Sequence, residues 1–143
     1  MFAITVKNDS SDFLGIIMLI DDKEYIFNID GFKFHCAMDI TMHYIGGKWK
    51  TVVLWYLRNK TYRFGELKKK IPDITEKMLS LQLKALERDG IIKRDVFAEV
   101  PLKVEYSLTE FGKTLIPVLQ EIARWGRHIG ETRGKMDIVR KID

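Results

Sequence analysis

Lys77, Ser80, Leu81 and Lys84 recur at three- and four-residue spacing just after Thr75. On a helix that spacing places them on one side. Two ammonium groups and a hydroxyl on one side can meet phosphate oxygens and the edges of bases, and a leucine can lie against a thymine methyl. The Thr75 hydroxyl can accept from the free amides of a first helical turn, whose partial positive charge favours a phosphate. The plainer alternative is a solvated helix face, because lysine and serine at helical spacing are ordinary surface.

Other residues are weaker candidates. Arg63, Lys68, Lys93, Arg94 and Lys103 suit phosphate contact, which positions a protein without reading sequence. Three adjacent lysines, Lys68, Lys69 and Lys70, spread over about 200° of a helix and cannot all face one partner. Cys36 is the only cysteine, which excludes an internal disulfide and argues against a secreted, stapled fold. His35, Cys36, His43 and His128 lack the spacing of a metal site. No Gly-rich phosphate loop, nucleophile elbow or paired acidic motif is present, so an enzyme is the weakest class and no cofactor is expected.

At 143 residues and 46% hydrophobic content the chain has room for one domain with a real core. Its charge is uneven. Residues 1–34 hold three cations against six anions, a net −3, whereas residues 60–104 hold eleven cations against seven anions, a net +4. The basic half therefore coincides with the candidate side chains. An acidic protein partner would suit that charge as well as a nucleic acid does. The longest apolar run, residues 13–20, is too short to span a membrane and has no cationic front, so a cytoplasmic location is expected.

The elements that must position these residues follow from periodicity. Residues 2–6, 14–20 and 24–29 read as short strands, with Asp21 and Asp22 in a turn, and Gly31 ends the pattern. A helix is predicted over 37–45, stopped by Gly46 and Gly47, and another over 48–59 with Trp49, Val52, Val53, Tyr56 and Leu57 facing the core. A third starts near Gly65 and stops at Pro72, and a fourth runs over 75–89 with Leu79, Leu83 and Leu86 inward. Residues 91–97 and 103–108 then form a basic strand pair. Thr109 caps a long C-terminal helix that bends at Pro117. Its apolar residues, Leu115, Leu119, Ile122, Trp125 and Ile129 among them, exceed what one small domain covers, so a two-fold dimer is expected. The tryptophans and the Phe/Tyr set are assigned to core and dimer packing.

This order is that of a winged helix-turn-helix, an α+β fold that is mainly α. Cys36, residues 45–49 (IGGKW), 63–67 (RFGEL), 78–80 (MLS), Leu86-Glu87, Asp89-Gly90 and 104–109 (VEYSLT) together resemble the HxlR family of bacterial and archaeal transcription regulators. The resemblance covers residues 36–130. It implies a homodimer that binds double-stranded DNA at an operator of two similar half-sites, with the C-terminal helix in the dimer interface. In some members a cysteine near the front of the domain senses oxidants or electrophiles, which makes Cys36 a sensor candidate; the effector stays unknown. The chain departs from the family pattern in a longer front end, in Leu81 where a polar residue is usual, in Gly65 where a serine caps a helix, and in Leu102 where a wing proline is common. The expected division is a β extension at 1–34, the winged domain at 35–130 and a basic tail at 131–143. The alternative is a winged-helix interaction module that binds an acidic protein.

Overall fold

The computed structural model of the chain describes residues 19–20, 23–24, 26–135 and 137, which form two compact units divided at Gly46/Gly47. The expected strand at 2–6 lies outside the described residues.

In the first unit, β1 (Leu19–Ile20) pairs antiparallel with β2 (Lys23–Glu24), and β3 (Phe27–Ile29) pairs antiparallel with β4 (Phe32–Phe34). Phe27 and Ile29 are half-buried and Asn28 is exposed, the alternation of a strand with one better buried face. Gly31 does not end the strand pattern. Asp30 and Gly31, with φ of 47° and 83°, fill the two centre positions of a tight turn, and the chain returns as β4 with Phe27 opposite Phe34. Both centre residues of such a turn need positive φ, which glycine and aspartate adopt at low cost. Helix α1 (Ala37–Ile45) follows, and its His43 ring lies 4.9 Å from Phe32 and 5.2 Å from Phe34.

The second unit opens with α2 (Lys50–Leu57), whose buried face is Val53, Leu54 and Leu57. That face is rotated from the expected one: Trp49, Val52 and Tyr56 are half-buried, and Leu54 is fully buried. The cause is packing on more than one side, because α2 touches both the fourth helix and the last one. Helix α3 (Phe64–Lys70) starts a residue earlier than expected. Arg63 is its N-cap, its amide donating to the Glu66 carboxylate at 2.8 Å, so Gly65 lies inside the first turn and caps nothing.

Ile71 and Ile74, each 1% exposed, pin the short turn from α3 to α4 (Glu76–Arg88). Between them Asp73 has a φ of 65°, a left-handed conformation that aspartate tolerates. Strands β5 (Ile92–Phe97) and β6 (Lys103–Leu108) pair antiparallel with Ile92 opposite Leu108.

Thr109 caps a short helix, α5 (Glu110–Lys113), accepting from the Gly112 amide at 3.0 Å. Instead of one bent helix, a turn separates α5 from α6 (Ile116–Arg133), and Pro117 lies in the first turn of α6. A proline there leaves no helical hydrogen bond unmade. Helix α6 also continues past the expected boundary at residue 130. Among the described residues no helix is long and apolar enough to cross a membrane.

Candidate nucleic-acid interface

Helix α4 combines three local signals. Its Thr75 cap accepts from the Met78 amide at 3.0 Å, which satisfies one of the first-turn donors. Leu79, Leu83 and Leu86, at most 1% exposed, fix its inner face. Burying each contributes about 1.5–3 kcal/mol relative to exposure. The outer face is then decided by the 3.6-residue repeat: Lys77, Leu81 and Lys84 are exposed along one line, and Leu81 is 51% exposed.

Ser80 is half-buried because it sits where α4 meets the strand pair. Ser80, Lys84 and Glu87 of α4 line a cleft of about 380 Å³ with Arg94 of β5 and Tyr106 of β6. Arg94 and Tyr106 are opposite each other in the ladder. Tyr106 also exchanges backbone hydrogen bonds of 3.0 and 2.8 Å with Tyr62, which is 8% exposed. That bridge fixes the entry of α3, and so Arg63, against the strand pair.

The sequence candidates therefore separate. Lys77, Ser80, Leu81, Lys84 and Arg94 lie on or beside the outer face of α4, and Thr75 is at its N-terminus. Among the described residues no ion pair forms to Lys77, Lys84 or Arg94, so their charge is available to a partner. Lys103 is half-buried and engaged, its Nζ lying 3.0 Å from Glu105 and 4.9 Å from the Phe97 ring centroid. Lys93 is beside Arg94 in β5, so it projects from the other face of the hairpin. Its Nζ lies 3.6 Å from Asp95. Lys68 is half-buried, and Lys69 and Lys70 are exposed.

Two cleft residues escaped the sequence reading. Glu87, three residues after Lys84, was visible in the helical spacing, and its carboxylate opposes an incoming phosphate. Tyr106 enters the cleft only through its pairing with Arg94, a register that periodicity does not give.

Cys36 is half-buried, free, and stands as the extended N-cap of α1. Its neighbour His35 is held by Asp39, with 3.1 Å between Nδ1 and Oδ2. Among the described residues no three His, Cys, Asp or Glu side chains converge as metal ligands. The apolar set on α6 divides too. Leu119 is 2% exposed within the single chain, closed against α2, whereas Ile122 is 45% and Trp125 69% exposed. Leu115 and Ile129 are half-buried.

A helix-turn-helix followed by a two-stranded wing, with cations open on its second helix, defines a winged-helix DNA-binding transcription regulator. A family model described as HxlR-like helix-turn-helix matches residues 44–133, and the chain belongs to that family. The helix-turn-helix transcriptional regulator YdeP of Bacillus subtilis is 47% identical over 108 residues, which are 76% of this chain and 84% of YdeP. YkvN of the same organism is 46% identical over 110 residues, 75% of this chain and 93% of YkvN. Among solved structures, the redox regulator HypR in its oxidized form superposes with a TM-score of 0.64 at 43% identity, covering 72% of this chain and all of HypR. The reduced form of the transcriptional regulator YodB from Bacillus subtilis gives 0.58 at 34% identity, covering 73% of this chain and all of YodB. The chain is a transcriptional regulator of this helix-turn-helix type and not an enzyme.

Proposed function

We propose that the protein is a sequence-specific regulator that acts as a homodimer on an operator of two similar half-sites. In each subunit Ser80, Leu81, Lys77 and Lys84 enter the major groove, while Thr75, Arg63 and Arg94 meet phosphates at its edges. Lys93 and Lys103, engaged by Asp95 and Glu105, contribute least. The single observation that carries this reading is the open line of Lys77, Leu81 and Lys84 on the far side of a helix whose near side is sealed by leucines. The uncovered Ile122 and Trp125 on α6 supply the dimer contact, and two-fold symmetry then sets the half-sites about one helical turn of DNA apart, roughly 34–36 Å.

Cys36 carries the response to oxidants. Support comes from HypR, a redox regulator solved in oxidized and reduced forms, and from YodB, solved after diamide treatment. With one thiol per chain, oxidation joins Cys36 either to its copy in the partner or to a small thiol. Two thiols lose two protons and two electrons to the oxidant as one S–S bond forms.

Selection of bound duplexes from random DNA, with and without diamide, tests readout and sensing together. A two-fold symmetric motif is expected, with affinity altered by diamide in the native protein and not in Cys36→Ser. Lys77→Glu with Lys84→Glu is expected to reduce affinity for the selected duplex at least 100-fold at about 0.1 M salt. Unchanged duplex binding in that variant would overturn the reading in favour of the acidic-protein module.

A further inference from the structure

The β5–β6 hairpin has two faces, and only one looks toward α4. Arg94 and Tyr106 enter the α4 cleft, and their neighbours in the ladder, Lys93 and Ser107, are opposite each other on the other face. There a second hollow of about 300 Å³ opens. Arg58 and Lys60 line it just after α2, Lys93 from β5 and Lys113 from α5, together with Thr61 and Ser107. No carboxylate lines it.

Half of the charge of the four cations stays unpaired. Lys113 is 2.8 Å from Glu110 and Lys93 is 3.6 Å from Asp95, two carboxylates outside the lining, which leaves the group with two charges unpaired. Arg58 lies 3.5 Å from the Trp55 ring centroid and Lys60 4.5 Å from that of Tyr62. Aromatic faces hold a cation in place without cancelling it. At the rim the hydrogen bond from Lys113, then the charge of Lys113 and more weakly that of Lys93, hold the Glu110 carboxyl below its ordinary value.

A concave site lined by four cationic and two hydroxyl-bearing residues and by no acid repels metal cations and gives its donors no partner in a purely apolar molecule. Its volume is at the lower edge of small-ligand sites. Phosphate oxygens match the donors in charge, and accept from ammonium, guanidinium and hydroxyl groups alike. We infer that this hollow binds a small phosphate-bearing molecule, separately from the duplex-facing cleft.

Calorimetric titration and thermal unfolding of the full chain with inorganic pyrophosphate, at constant ionic strength and without DNA, test this. The expected result is saturable binding of one pyrophosphate per chain, with a rise in Tm on the order of 5 °C at saturation. Lys60→Glu with Lys113→Glu, both exposed positions, is expected to weaken it at least tenfold, and Lys84→Glu to leave it intact. Should the charge reversal unfold the chain, Lys60→Gln with Lys113→Gln reads out the same loss. Absence of saturable binding, or equal loss in Lys84→Glu, overturns the inference. So does a fall in duplex affinity in Lys60→Glu with Lys113→Glu as large as that in Lys84→Glu, since the hollow would then belong to the DNA backbone. The first measurement involves no duplex, so its failure is distinguishable from failure of the operator reading.

Discussion

Helices α4 and α6 start from the same device, an apolar stripe at helical spacing, and end in opposite surfaces. On α4 the stripe is consumed inside the chain: Leu79, Leu83 and Leu86 are at most 1% exposed, and what remains outside is mostly cationic and polar. On α6 only Leu119 is sealed, and Val118, Ile122 and Trp125 stay open at 39%, 45% and 69%. A helix with its apolar face spent offers charge to a polyanion. One with apolar area left over gains most from another protein surface. Amphipathicity alone does not separate these cases; the width of the apolar stripe against the surface available to cover it does.

The comparison can be broken at either helix. Leu83→Ala removes a fully enclosed side chain from α4, and the expected cost is about 2–5 kcal/mol in urea unfolding. A loss below about 1 kcal/mol would mean that the α4 stripe is not spent. Next in size, Trp125→Ser on α6 is expected to raise the dimer dissociation constant by about 30-fold, read by sedimentation, with secondary structure unchanged. A dimer as tight as the native one would mean that α6 contributes no interface. The smallest effect sharpens the α4 side: Thr75→Ala deletes the cap to Met78 and is expected to lower stability by about 1 kcal/mol and weaken duplex binding through the frayed first turn. Stability equal to the native protein would show the cap to be replaceable.

Much of this arrangement was legible in the chain itself. The leucine stripe, the Thr75 cap and the strand pair after Gly90 all rest on local patterns, and each appears at its expected place, while Thr109 is a cap as expected but of the short α5 and not of the long helix. The misreadings have separate causes. Asp30-Gly31 carries a hairpin signal that looks like a strand stop, because the three-residue return strand is too short to show a period. Leu54 lies outside the single apolar stripe that spacing picks out, because α2 packs against more than one neighbour. Pro117 was read as a kink, although a proline bends a helix only in its interior and α6 begins beside it.

Within the candidate site the same division holds. That Lys77, Leu81 and Lys84 share one side of a helix follows from spacing, since 3.6 residues per turn is a property of the backbone. That Arg94 joins them while Lys93 leaves for the opposite hollow follows from strand alternation, but only after the hairpin is set against α4 in one register. Tyr62 and Tyr106 hold the hairpin to the entry of α3, through a bridge between residues far apart in the chain, and α4 packs on β5. Local order was thus written in the residues themselves, while the cleft, the second hollow and the uncovered face of α6 came into being only when distant segments met. Side-chain burial depends on which partners arrive, and no spacing along a chain encodes that.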